Sequence, residues 1–224
     1  MSDDSFIREV DEELRTERVQ EFWDRYGKLV IGVAVAIVVV TGGNRYYDYY
    51  TKTKAAESGD AFMAAIELAQ DGKSDEAIAA LSVLEGQESK AYQSLALLRA
   101  GAELAKKGDV DAAVKKFDAV AQDGSAEENL RSIARIRAAM LLVDAGTVTE
   151  VEARVGSLTA PGAPYRASAR EALGLAYFKA GDMDNAFKQF NSLADDEETP
   201  QSLAQRTRIM LQLIASRGGP VRDQ

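Results

Sequence analysis

The sequence predicts an all-helical protein with one transmembrane helix near the N-terminus, then an α–α superhelix of about four helix pairs and a C-terminal capping helix. Three observations support this fold class. Residues 29–44 form a run of 16 positions without a charge, in a chain whose charged fraction is 28%. Four glycines recur at spacings of 36, 38 and 35 residues: Gly72, Gly108, Gly146 and Gly181. The remainder is rich in strong helix formers, and the four prolines fall in stretches that are typical of loops or chain ends.

The apolar run is short for a membrane span, but its flanking residues extend it. As a helix, 16 residues rise about 24 Å, whereas a hydrocarbon core is about 30 Å thick. Lys28 and Arg45 can keep their charges at the interface while burying their methylene groups. Aromatic side chains typical of interfacial belts stand on both sides of the run: Trp23, Tyr26, Tyr46, Tyr47, Tyr49 and Tyr50. We therefore predict a cytoplasmic head helix over residues 1–25 and a transmembrane helix over residues 26–47.

Two other interpretations of the run remain open beside a retained anchor, namely a buried core helix and a cleaved signal peptide. A signal peptide needs a basic start, but the 28 residues before the run hold nine acids and five bases. Counting Lys and Arg near the run gives four before it and three after it. This difference favours a cytoplasmic head only slightly.

The glycine spacing indicates a helical repeat with a period near 34 residues. The clearest unit, residues 168–193, resembles the tetratricopeptide repeat at Leu173, Gly174, Tyr177, Gly181, Asp182, Ala186 and Phe190. The second unit keeps Gly101, Gly108, Asp109, Ala113 and Phe117. The first keeps Gly72, Ala77, Leu81 and Leu84, and the third is degenerate, with Val151 and Val155 at the corresponding positions.

Each repeat position has a predicted physical role. Gly101 and Gly174 on the first helix of a pair let the second helix approach. The reciprocal small residues on the second helix are Ala77, Ala113 and Ala186. Larger residues are expected to fill the gap toward the next repeat: Leu81, Phe117 and Phe190. The turn glycines allow left-handed backbone angles, and three side chains are expected to cap the following helix: Ser74, Asp109 and Asp182.

The repeat domain is predicted to cover residues 48–216. Its helix pairs are expected at residues 54–85, 90–122, 126–158 and 165–194. A last helix over residues 200–216 is expected to cap the superhelix with one apolar side, made of Leu203, Ile209, Met210, Leu213 and Ile214. Residues 217–224 are predicted to be a disordered tail.

Composition excludes most catalytic chemistry. The chain has no Cys and no His, so it lacks thiolate nucleophiles, disulfides, the usual zinc ligands and the usual general base. Residues 46–224 carry a net charge of −6, which disfavours nucleic acid as a partner. The acidic run 195–198 lacks the alternating ligand spacing of a calcium loop. We expect no enzyme activity, no cofactor, no metal and no small-molecule substrate.

The whole architecture resembles a known bacterial family. The head segment at residues 6–32, the anchor and the repeats are together similar to the YfgM-like family of ancillary subunits of the SecYEG translocon. The resemblance implies a single-pass protein of the bacterial inner membrane with a cytoplasmic N-terminus and a periplasmic repeat domain. It implies translocon subunits, periplasmic chaperones or unfolded clients as partners. An envelope-assembly or cell-division scaffold with no translocon role is the alternative left open.

In tetratricopeptide domains, fixed positions on the first helix of each pair line the concave face. Here these positions are apolar: Phe62, Ile66, Leu95, Leu98, Ile133, Ile136, Met140, Val143, Leu175 and Phe178. Such residues are expected to bind a partner protein if they are exposed, or to form core if the superhelix buries them. The Lys and Asn of a carboxylate clamp are missing, although Arg99 and Arg137 lie close by. In the anchor, Gly32 and Ala36 form a small-residue pair that could pack on another transmembrane helix.

Overall fold

The computed structural model describes residues 3–86 and 89–221, and within them the side chains from residue 23 onward except at position 30. All regular secondary structure in these ranges is helical, which confirms the predicted fold class. The chain divides into two compact units, Met1–Lys54 and Ala55–Gln224.

The first unit consists of the N-terminal part of helix α1, which spans Asp3–Gln70. Within α1, the stretch Trp23–Gln70 contains an 18-residue window with a mean hydropathy of 1.9, only 6% of which is buried. By length and composition this helix can cross a membrane. Leu29 and Val40 are 65% and 70% exposed. This exposure contradicts the interpretation of the run as a buried core helix and leaves the anchor and the signal peptide.

The second unit contains the four predicted helix pairs. The end of α1, from Ala55, pairs with α2 (Ser74–Leu84). The second pair is α3 (Lys90–Lys106) with α4 (Val110–Gln122). The third is α5 (Glu128–Ala145) with α6 (Val148–Val155), followed by a 3-10 turn at Gly156–Thr159. The fourth is α7 (Arg166–Lys179) with α8 (Met183–Ala194), and α9 (Gln201–Ser216) packs on α8 and α7.

The turns between paired helices follow the prediction in three pairs and depart from it in one. Gly72, Gly108 and Gly181 have φ of 80°, 84° and 82°. Gly146 is extended instead, with φ of −117°. The third pair begins its second helix with a capping box, because Thr147 and Glu150 bond each other's backbone N–H groups at 2.8 and 3.3 Å. The expectation of a left-handed glycine was therefore wrong at Gly146.

Two of the three predicted helix caps are present. Asp109 accepts from the Ala112 N–H at 3.1 Å, and Asp182 accepts from the Asn185 N–H at 3.0 Å. The bond from Asn185 lowers the pKa of the Asp182 carboxyl, because it favours the ionised form. Ser74 was wrongly predicted as a cap, since it is already the first residue of α2. Its Oγ instead donates to Glu103 Oε2 at 2.9 Å and links the first pair to the second.

In each pair, a small residue on the first helix matches a larger residue 16 positions later on the second helix. A Cβ atom added to Gly101 would lie 2.8 Å from the Phe117 ring, and one added to Gly174 would lie 2.8 Å from the Phe190 ring. The rings therefore fill space within their own pair, and the core clusters that contain them extend to α5 and to α9, the next helices along the chain. The other two pairs use Ala with a smaller partner in the same core cluster: Ala65 with Leu81, and Ala139 with Val155.

The last helix buries only part of its predicted apolar side. Leu203 and Ile214 are buried and Met210 is half-buried, but Ile209 and Leu213 are exposed, so the prediction was wrong for these two. The helix ends in a Schellman motif, in which the Gly219 N–H bonds the Ile214 carbonyl at 3.0 Å. The predicted tail, residues 217–224, thus begins with a helix cap; residues 222–224 lie outside the described residues.

Candidate protein-binding face

The packing register determines which residues line the inner side of the superhelix. The small residues Ala65, Gly101, Ala139 and Gly174 mark the same place in the four first helices. The predicted face lies six and three positions before each of them, and one and four positions after. We call these positions the inner row. It contains every apolar residue predicted to bind a partner.

The structure divides the predicted residues of the inner row into two groups. Phe62, Leu98, Ile136, Val143, Leu175 and Phe178 pack in or against the core clusters, and Leu98 is only 7% exposed. The others belong to no core cluster in the part of the chain that the structure describes: Ile66, Leu95, Ile133 and Met140. Met140 is 39% exposed and the other three are half-buried. These four are the accessible apolar residues of the inner row.

In the first and fourth pairs, neighbouring side chains contact the aromatic rings of the inner row. At the first pair, the rings of Phe62 and Tyr92 lie 6.1 Å apart. At the fourth pair, the guanidinium of Arg217 lies 4.6 Å from the centre of the Phe178 ring, which is cation–π distance. The accessible part of the row therefore centres on α3 and α5.

Two features of the inner row were missed from the sequence. Ile209 lies 34 residues after Leu175 and is 63% exposed, so α9 continues the row as the first helix of an incomplete fifth pair. Adding one repeat period to Leu175 would have found it. In the fourth pair, the place of Leu98 and Ile136 is taken by the buried Glu171. Arg206 neutralises this carboxylate through bonds of 2.7 and 3.0 Å.

Ion pairs outside the inner row join successive helix pairs. Arg154 bonds Asp118 at 3.0 and 2.7 Å, and this bond raises the pKa of the Arg154 guanidinium. Lys116 binds Glu85 at 2.7 Å. Each bridge connects residues more than 30 positions apart and so helps to fix one pair against the next.

The acidic run 195–198 also forms ion pairs, here with the first helix of the fourth pair. Arg166 bonds Asp196 at 2.7 Å and Glu198 at 2.9 Å, and the bond to Arg166 lowers the pKa of the Asp196 carboxyl. Within the described residues, no group of three or more acidic side chains could hold a metal ion. These ion pairs thus hold the loop before α9 against the start of α7.

A cavity of about 1140 Å³ lies at the start of α7, between residues 161–170 and 192–200. Tyr165 stands at its edge in the left-handed region, with φ of 60°. Its arginines, Arg166 and Arg170, already face Asp196 and the Thr159 carbonyl. The cavity contains none of the four accessible apolar residues of the inner row, so we do not assign it to the predicted face.

The sequence model of the tetratricopeptide repeat-like domain family matches residues 20–215. The chain belongs to this family. The match includes the predicted transmembrane segment and every helix pair. Comparisons with curated proteins and with solved structures gave no significant match. Domains of this kind are typically protein-interaction modules without enzyme activity, which agrees with a row of accessible apolar side chains on the inner side.

Proposed function

We propose that this protein is a membrane-anchored protein–protein interaction module. The observation that carries the proposal is the middle of the inner row, where Leu95, Ile133 and Met140 are apolar, accessible and free of any described core cluster. Apolar side chains that stay accessible on one side of a repeat domain often mark a binding site, because a partner removes them from water. The exposed apolar run of α1 supports a membrane anchor for the same physical reason.

The finer proposal rests on the family resemblance of residues 6–32 and of the architecture. In it, the protein sits in the bacterial inner membrane with its N-terminus in the cytoplasm and its repeat domain in the periplasm. There it serves as an accessory subunit that links the protein-export translocon to periplasmic chaperones, folding factors or unfolded clients. The family match from residue 20 to residue 215 is compatible with this architecture and does not name the partner.

Site-specific crosslinking in membranes tests the proposal. A photoreactive amino acid replaces Ile133 on the inner row or, as a control, Val83, an exposed apolar residue on α2. We expect adducts from position 133 that contain translocon subunits or periplasmic chaperones, and none of these from position 83. Adducts with envelope-assembly or cell-division proteins instead would overturn the translocon assignment. Equal adducts from both positions would remove the inner row from the proposal.

A further inference from the structure

The inner helices of the superhelix are basic within an acidic domain. Helices α3, α5, α7 and α9 together hold 11 Lys and Arg residues against 4 acids. The outer helices α2, α4, α6 and α8 hold 4 against 7. The first inner segment is an exception, because residues 55–70 hold three acids and no cation. Positive charge therefore concentrates on the first helices of the pairs from the second pair onward, and on α9.

Two arginines of this set share one register with the accessible apolar residues. Arg99 and Arg137 each stand two positions before the small residue of their helix, Gly101 and Ala139. On α5, Ile133, Arg137 and Met140 are spaced at i, i+4 and i+7, so they lie on one face of the helix. On α3, Leu95 and Arg99 repeat the first step of this pattern. The cations thus lie within the accessible apolar stripe and not on the opposite side of the helices.

The two arginines differ in whether they are already paired within the chain. Arg137 is exposed, and no hydrogen bond or ion pair in the described part of the chain engages it. Arg99 binds Glu103 through Nη2 at 2.6 Å, but its buried Nε has no partner among the described residues. Arg206 is held by Glu171 in the same way. Unpaired positive charge therefore remains at Arg137 on α5, beside the accessible residues Ile133 and Met140.

We infer that the inner row binds an acidic amphipathic helix, whose apolar stripe covers Leu95, Ile133 and Met140 and whose Asp or Glu side chains pair with Arg137. This rests on the proposed function of the inner row and specifies the partner's chemistry. Carboxylates suit guanidinium groups because both are planar and can form two parallel hydrogen bonds. A lysine-rich helix with the same apolar stripe would meet uncompensated like charge.

Two synthetic helices test the inference. Both have 18 residues, an amidated C-terminus, a fluorophore and the same leucine stripe, but one carries Glu and the other Lys beside the stripe. The amide removes any contribution from a terminal carboxylate. Binding to the full-length protein in phosphatidylcholine nanodiscs is measured by fluorescence anisotropy, with empty nanodiscs as the blank. We expect the Glu helix to bind more tightly, by a factor that shrinks as salt is added.

Matched variants test whether the preference for the Glu helix comes from the inner row. Arg137→Glu should weaken binding of the Glu helix by about threefold to tenfold, as expected for loss and reversal of an accessible ion pair. Lys115→Glu makes the same charge change at an exposed position on the outer helix α4, away from the inner row, and should leave the preference unchanged. Unchanged helical circular dichroism in both variants would show that the fold is intact.

Each remaining outcome overturns the inference in a distinguishable way. Equal binding of the two helices, with loss on Ile133→Asp, would keep the inner row as the binding site and reject charge selection. Equal weakening by Arg137→Glu and Lys115→Glu would attribute the preference to net charge alone. Binding of neither helix would reject both the inference and the proposed role of the inner row.

Discussion

The apolar residues of the two units differ in how the protein covers them. In the first unit, Leu29, Ile37 and Val40 are each more than half exposed. In the second unit, core residues of the same chemical type, such as Leu81 and Ile214, are fully buried. The two groups contain equally hydrophobic residues and differ in how these residues are spaced along the sequence. An unbroken run presents apolar side chains all around its helix, whereas the repeats place them on one side that a neighbouring helix can cover.

The inner row repeats this contrast on a single helix. Leu95 and Leu98 are three residues apart on α3, yet Leu98 lies in the core and Leu95 belongs to no described core cluster. Apolar character therefore does not reveal what covers a side chain in this protein. We infer that lipid covers the apolar run, that neighbouring helices cover the core, and that a partner protein covers the accessible residues of the inner row.

The largest expected effect separates these two leucines. Leu98→Asp should unfold the repeat domain, because it leaves a cavity and buries an unpaired carboxylate, at a cost above about 4 kcal/mol. Leu95→Asp should keep the fold and lose only partner binding. Helical circular dichroism of the full chain and crosslinking from position 133 measure the two effects. Unfolding by both substitutions would place Leu95 in the core and remove the distinction.

A smaller effect tests the register of the helix pairs. Ala186 is completely buried on α8, in the same core cluster as Phe190. Ala186→Leu should therefore lower stability by about 1–3 kcal/mol through overpacking. Glu197→Leu lies in the exposed loop before α9 and should change the melting temperature little. Similar shifts for the two variants would argue against the register.

The sequence predicted the helices better than the coverage of the inner row. Repeat spacing located the pairs because Gly101 and Gly174 must accept a phenylalanine ring 16 positions later. The same spacing could not show that Phe117 fills the space beside Gly101 in its own pair, since one period describes packing within a pair and between pairs alike. At Gly146 the left-handed turn is absent, and the next helix begins with a capping box at Thr147 instead. Repeat spacing alone does not reveal this capping box. The partial exposure of Leu95 beside buried Leu98 depends on neighbouring helices, which the sequence of α3 does not specify.

The smallest expected effect concerns acid. The pKa of Asp182 is below its ordinary value of 3.8, because the carboxylate accepts the Asn185 N–H. A depressed pKa stabilises the fold above the unfolded-state pKa, and this contribution is lost as pH falls below 3.8 and through the folded-state pKa. Asp182→Asn keeps a capping oxygen that does not titrate. Its melting temperature should fall less than the wild type's between pH 5 and pH 2.5. Identical slopes would show that this cap does not contribute.

The central claim is that the exposed apolar run crosses a membrane, with the repeat domain on the outer side. Because the chain has no Cys, a single introduced thiol reports its own accessibility. Ser82→Cys on α2 and Ser5→Cys in the head are each treated with a membrane-impermeant maleimide in intact spheroplasts. The account predicts labelling of the Ser82→Cys variant at once, and of the Ser5→Cys variant only after the membrane is permeabilised. Labelling of both variants before permeabilisation, or a mature chain that lacks position 5, would contradict it.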